Sequence, residues 1–416
     1  MKITLNNVAK IKHAEVEIKG ITVIAGENNT GKSTVGKALY AISNSFYNVK
    51  DQIYNERVEN AVSILQSMMR QSFGMMSAKF IADMEDVAKN LIDNREIFLV
   101  DQSILEEHIE NYMENYDGLS MQQEEKNKRI EYVEQLYKAL AIEDDTIFMF
   151  VLRSKVDAEF CNQINNIYTE DPAEITLQIN GEEDIEVTLT ENFMKCNRGN
   201  ISLGTEVIYL DDPYILDERI RMRPLTYSLE HKEELKQKLI RDNKNQNLIS
   251  ELVTANKFEQ IMDKMNRVCG GEIIRNNTNH RFSYKKKDTD KSLDMNNVSA
   301  GLKTFVILKR LLLNGNIESN GTVILDEPEI HLHPEWQLLF AELIVLIQKE
   351  FGLHILINTH SPYFLNAIEV YSEKYETLDK CKFYLSREDH NMSVIEDVSD
   401  RIEAIYEKLA KPLQRK

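Results

Sequence analysis

Eight consecutive residues, Gly26-Glu27-Asn28-Asn29-Thr30-Gly31-Lys32-Ser33, followed by Thr34, fit the spacing G-x-x-x-x-G-K-[ST]. Residues of these types in this order can hold a triphosphate. The glycines let backbone N–H groups curl around phosphate oxygens, and a helix starting at Lys32 would add the positive end of its dipole. The Lys32 ammonium would neutralise the terminal phosphate, while the Ser33 hydroxyl would ligate Mg²⁺. The setting supports this reading, because an apolar run, Ile21 to Ala25, precedes the loop and helical periodicity follows it. The loop implies nucleoside triphosphate binding and says nothing of a reaction.

Three other segments supply groups that could act on such a ligand. Thr322 to Leu325 is an apolar strand ending in Asp326-Glu327-Pro328. At a strand's carboxyl end Asp326 can hold Mg²⁺ through Ser33 or water, and Glu327 can orient and deprotonate an attacking water, which points to a hydrolase. A second buried strand, His354 to Asn358, ends in Thr359-His360-Ser361, so His360 falls at the same sheet edge and can donate a hydrogen bond to a terminal phosphate. Asn297-Val298-Ser299-Ala300-Gly301-Leu302-Lys303 opens a strong helix; Ser299 fits an N-cap, and Gly301 permits close approach of backbone to a phosphate. Glu329, His331 and His333 are metal-ligand types, but H-x-H followed at once by Pro334 and a helix lacks further ligands at short spacing.

The elements that must position these groups read as an α/β protein. Residues 2 to 25 form short strands, and helical periodicity resumes from about Asp51 to Tyr168, with a break around Tyr116 to Ser120. That is too long for one crossover, so it reads as an insertion of two or three antiparallel helices. Strand signals return at Glu174 to Ile179, Ile185 to Leu189 and Glu206 to Leu210, followed by helix over 228 to 266 and a hairpin pairing Glu272 to Asn276 with Arg281 to Lys285. From Met295 helices and strands alternate to a terminal helix near Asp400, the rhythm of a parallel sheet. The expected organisation is a head split between 1–50 and 290–416, a helical insertion at 51–170, and a β-rich and helical part at 171–289 that completes the head.

Charge and composition exclude several classes. The 416 residues carry a net charge of −18, which rules out a uniformly basic nucleic-acid coat. Half of that excess lies in residues 101 to 150, with 13 acidic and 4 basic side chains, whereas Arg219 to Lys291 holds 17 basic and 10 acidic residues. The latter stretch could hold nucleic acid. No apolar run approaches the ~20 residues of a membrane helix, and the first residues do not read as a signal peptide. Cys161, Cys196, Cys269 and Cys381 lie far apart without C-x-x-C, which favours free thiols in a cytoplasmic protein.

With the strings GENNTGKS, NNVSAGLK, VILDEPEIHLHPEWQ and INTHSPYFL, the sequence resembles the ATP-binding-cassette ATPases, in particular their RecF-like and overcoming-lysogenisation-defect-like branch. ATPase subunits of anti-phage systems such as Septu or PARIS are similar in these strings. The resemblance covers about residues 1 to 50 and 290 to 410. It implies an ABC-type head with a mixed sheet, ATP and Mg²⁺ as ligands, and a nucleotide-sandwich dimer or larger homo-oligomer. Lys32, Ser33, Asp326, Glu327 and His360 would act in cis, and Ser299 and Gly301 in trans. The family's loop glutamine has no clear counterpart, although the strand before Asp211-Asp212-Pro213 would lead into that loop. After His360 only 56 residues remain, too few for the family's Toprim nuclease. The implied function is an ATPase controlling a separate nuclease or toxin effector in anti-phage defence. The alternatives are a DNA-repair or DNA-end-binding ATPase, and a nucleotide-dependent sensor or scaffold that needs no turnover.

Overall fold

The computed structural model describes residues 1–73, 78–114, 123–179, 184–191, 193–199, 201–220, 230–240, 259–276, 281–287 and 289–414. The described residues divide into two compact units, one formed by 1–47 and those from 152 onward, the other by 48–151.

Among the described residues the first unit is built on an eleven-stranded mixed sheet in the order β6 (Met194–Asn197), β5 (Ile185–Leu189), β4 (Ala173–Gln178), β1 (Lys2–Val8), β2 (Ile11–Glu17), β14 (Met392–Asp397), β13 (Cys381–Asp389), β3 (Ile21–Gly26), β12 (His354–Thr359), β11 (Thr322–Asp326) and β7 (Val207–Leu210). Its parallel part is β13 (Cys381–Asp389), β3 (Ile21–Gly26), β12 (His354–Thr359), β11 (Thr322–Asp326) and β7 (Val207–Leu210). β3, β12, β11 and β7 are rich in apolar residues because helices cover both faces; all six residues of β3 are buried. Val23, Ala25, Val323, Leu325, Ile355 and Ile357 share a core with Phe305, Phe340 and Phe364 of the helices Ala300–Leu313, Pro334–Phe351 and Pro362–Lys374. On the other face Gly36 of the helix Lys32–Phe46 lies against Ile324.

The remaining strands make an antiparallel wing, so the sheet as a whole is mixed, as expected, with the parallel run at its centre. β1 (Lys2–Val8) pairs with both β2 (Ile11–Glu17) and β4 (Ala173–Gln178), and β5 (Ile185–Leu189) and β6 (Met194–Asn197) continue to the edge. The alternating burial of β4 and β5 shows one packed face and one wet face. β14 (Met392–Asp397) pairs antiparallel with β13 and parallel with β2, joining wing to centre. A separate three-stranded sheet contains β8 (Gly271–Asn276), β9 (Arg281–Lys286) and β10 (Ser292–Asp294). The turn of the expected hairpin at 277–280 lies outside the described residues, as do 241–258 of the expected helical stretch.

The second unit is helical, but more finely divided than its periodicity suggested. It contains Val49–Phe73, Ala78–Asp93, Arg95–Val100, Gln102–Glu114, Gln123–Ala141 and the first half of Asp144–Phe160. Asp101 explains one interruption: its backbone is extended and its carboxylate accepts from the Ser103 N–H at 2.9 Å, an end that competes with helix continuation. The break expected at 116 to 120 lies outside the described residues. The last helix stops at Phe160 rather than near Tyr168, because Cys161 and Asn162 take left-handed φ of 50° and 60°. Leu65, Met69, Leu91, Leu105 and Leu136 form the core of this unit. Among the described residues no helix is long and apolar enough to cross a membrane, and the four cysteines are unpaired.

Candidate functional site

Because β3, β12, β11 and β7 are parallel and nearly in register, their carboxyl ends fall on one edge; Ala25 lies opposite Thr359, and Asn358 opposite Asp326. The chain leaves β3 at Gly26, and Gly31 takes φ of 85°, a left-handed turn that a side chain would strain and that feeds directly into the helix starting at Lys32. Glu27, Asn28 and Asn29 are exposed, while Thr30 is fixed inside: its hydroxyl donates to the Glu27 carbonyl at 2.8 Å, and Ser386 donates to its own carbonyl at 2.6 Å. Ser33 and Thr34 follow on the first helical turn.

The Lys32 ammonium is buried and donates to the carbonyls of Gly26 and Glu27 at 3.2 and 2.9 Å. Burial pushes its pKa down, against Glu327 and Asp326, which favour its charge. Lys32 lies 3.7 Å from Glu327 Oε1, and the same oxygen is 3.3 Å from His360 Nδ1. Glu327 itself has φ of 49°, and its N–H donates to the Asn358 carbonyl at 2.9 Å, so β12 holds this carboxylate in a strained backbone at the sheet edge. Burial pushes the Asp326 carboxyl up, while Ser33, Tyr209 and Asn358 pull it down. Its Oδ2 accepts from the Tyr209 hydroxyl at 2.9 Å; its Oδ1 is buried and makes no hydrogen bond. A buried carboxylate oxygen without a partner, beside the Ser33 hydroxyl, is a donor set that fits Mg²⁺.

The loop after Glu327 separates the residues that suggested a metal centre. Glu329 is buried and accepts from the Thr359 hydroxyl, whose oxygen in turn accepts from the Ser361 N–H at 3.0 Å. His331 stands edge-on to Tyr214 at 5.4 Å, and His333 caps the helix Pro334–Phe351, accepting from the Glu335 N–H at 3.4 Å. Among the described residues no group of three His, Cys, Asp or Glu could hold a metal ion.

Lys32, Ser33, Asp326, Glu327 and His360 are therefore brought together, whereas Ser299 and Gly301 stand at the start of the helix Ala300–Leu313, the first exposed and the second buried. Ser299 stands at the N-cap of Ala300–Leu313 with no capping bond from its side chain, and is exposed. Gly301 is buried against the next loop, where a Cβ would come 2.7 Å from the His331 carbonyl oxygen. The same helix bounds a cavity of 270 Å³ lined by Ser33, Asp326, Glu327, Asp211, Thr304 and Leu308, among others.

Tyr209 and Asp211 of this edge were not singled out individually from sequence. The signal was present in Val207-Ile-Tyr-Leu-Asp-Asp, an apolar strand ending in two acids like the one at Asp326-Glu327. No glutamine occupies the loop after β7, which turns at once into a short 3-10 helix, Pro213–Asp217, capped by Asp212. Of the basic stretch 219–291, residues 221–229, 241–258, 277–280 and 288 lie outside the described residues.

The family model described as AAA ATPase domain matches residues 1–365. A curated relative, Retron Ec83 probable ATPase of Escherichia coli, is 35% identical over 89 residues, 19% of this chain. The matched stretch spans only 16% of that relative's length. Among solved structures, an SMC head bound to the C-winged helix domain of ScpA is 13% identical, with 97% of this chain and 98% of that chain covered and a TM-score of 0.44. An SMC head domain with an extended coiled coil, bound to the C-terminal domain of ScpA derived from Pyrococcus furiosus, is 12% identical, with coverage of 100% and 99% and a TM-score of 0.42.

Proposed function

The chain belongs to the AAA ATPase domain family, and from that premise we propose that it binds Mg·ATP on the loop 26–34 and hydrolyses it. The observation that carries this reading is the convergence of Lys32 and His360 within 3.7 Å of one carboxylate oxygen, Glu327 Oε1, at the sheet edge. Gly26, Glu27, Asn28, Asn29, Thr30 and Gly31 supply the backbone cradle, and Lys32 balances phosphate charge. Ser33 and Asp326 hold the cation, which when bound neutralises charge on the phosphates. Glu327 takes the proton of the attacking water, and His360 donates to the terminal phosphate.

The uncapped, exposed hydroxyl of Ser299 supports a second part of the proposal, that it contacts nucleotide held by another copy of the chain in a sandwich dimer or larger assembly. In this reading ATP closes the assembly, hydrolysis opens it, and the cycle controls a separate nuclease or toxin. The short similarity to a retron ATPase supports placing that cycle in anti-phage defence.

Phosphate release from Mg·ATP by the purified protein tests the core of the reading. Wild-type protein should turn over, Lys32→Ala should fail to bind nucleotide, and Glu327→Gln should bind it while losing about 10² to 10⁴ in rate, the usual worth of a general base. A wild-type protein inert alone, with nucleic acid and with the product of the neighbouring gene would overturn it.

A further inference from the structure

We propose that Tyr209 is a positioning residue for the divalent cation, fixing the Asp326 carboxylate through its hydroxyl, and that His231, clamped between Glu159 and Asp211, fixes Tyr209 in turn. The inference rests on the reading of Asp326 as a cation ligand.

The geometry runs outward from that carboxylate. Tyr209 is buried, and its hydroxyl donates to Asp326 Oδ2 at 2.9 Å, which leaves Oδ1 as the oxygen with no protein partner. One oxygen is thus committed to the protein and the other is available to a cation or its bound water. The phenol is the donor and the carboxylate oxygen the acceptor of a charge-assisted bond. The ring cannot swing away from this bond. It is stacked on His231 at 4.3 Å and 22° and tilted against Tyr40 at 6.2 Å. The helix that begins at Lys32 makes room for it with Gly36, where a Cβ would lie 3.1 Å from the Tyr209 oxygen and 3.3 Å from Cζ.

His231 is hydrogen-bonded at Nδ1 and faces a second carboxylate at Nε2. Nδ1 lies 2.7 Å from Glu159 Oε2, the His231 backbone N–H donates to Glu159 Oε1 at 2.7 Å, and Nε2 lies 3.1 Å from Asp211 Oδ2. Burial disfavours the imidazolium, but the two carboxylates outweigh it and raise the pKa to about 9. A cation flat against a phenol ring is attracted by the ring's negative face, so the clamp orients the tyrosine as well as packing it.

Tyr209→Phe keeps the ring and deletes the one hydroxyl. Its test is the affinity for a non-hydrolysable ATP analogue, measured by calorimetry in EDTA and across a Mg²⁺ titration, a readout that needs no turnover. Affinity in EDTA should be unchanged, while the Mg²⁺ needed for half-saturation rises about ten- to a hundredfold, as for lost orienting partners of metal ligands. His231→Gln, which leaves a polar group between Glu159 and Asp211, should raise the Mg²⁺ requirement in the same direction. The double variant should need no more Mg²⁺ than Tyr209→Phe, because the histidine acts through the tyrosine. An unchanged Mg²⁺ requirement in Tyr209→Phe overturns the proposal even if the protein melts earlier, and so does a double variant whose losses multiply. A wild-type protein whose analogue affinity ignores Mg²⁺ overturns the cation reading of Asp326 itself.

Discussion

His360 and Asp326 make different demands on a bound nucleotide, and the difference is measurable. His360 reaches the edge from β12 beside Glu327 and is partly exposed, so it can touch a phosphate without contributing to the core. His360→Ala should therefore leave nucleotide affinity within a fewfold and lower kcat by about 10² to 10³, the cost of one donor to developing charge; steady-state kinetics would show loss in kcat rather than KM. Lys32, Ser33, Asp326, Glu327 and His360 were all legible in sequence because each ends or follows an apolar strand, and parallel strands must deliver those ends to one edge. Tyr209 was not legible as a partner of Asp326. Nothing local to Tyr209 distinguishes it from a core tyrosine; its meaning comes from the Thr322–Val207 register of β11 against β7, a pairing across more than a hundred residues.

At the scale of elements, the helices flanking the site are tied together by one carboxylate. Glu342, on Pro334–Phe351, lies 2.9 Å from Lys264 and from Lys374 of Pro362–Lys374, and accepts from the Tyr375 hydroxyl at 2.6 Å. Burial pushes its carboxyl up, but Tyr375, Lys264 and Lys374 outweigh burial and draw it down to about 2 from an ordinary 4.5. A folded pKa below the unfolded one means stability that is present in full above pH 4.5 and is lost as pH falls towards 2. Urea midpoints of wild type and Glu342→Gln should differ most at neutral pH and converge between these two values; a gap that widens on acidification would contradict the assignment. The alternating helix–strand order after Met295 was readable because β11 and β12 are short apolar runs between helices capped by His333-Pro334 and Ser361-Pro362. The division of the helical unit was harder to read, since its interruptions rest on single polar residues such as Asp101 that also occur within helices. β6 was missed because Met194-Lys-Cys-Asn is a short edge strand with neither face buried.

For the whole molecule the central question is whether one chain completes its own site. Lys32 sits buried in the cradle, whereas Ser299 is exposed at the start of another helix and can be altered without touching the core. Lys32→Ala and Ser299→Phe proteins should each be inactive alone if Ser299 serves the nucleotide of a second copy. Mixed in equal amounts, the two proteins would pair, and each mixed dimer would have one intact composite site out of two. Recovery of turnover on mixing, up to about one half of the wild-type level, then follows from two-fold symmetry with independent sites. Activity of Ser299→Phe alone at the wild-type level would remove the sandwich from the proposed function while leaving hydrolysis at Glu327 intact. Mass in solution gives a second view of the same assembly: Glu327→Gln with Mg·ATP should sediment as a dimer or larger species, and Lys32→Ala under the same conditions should not.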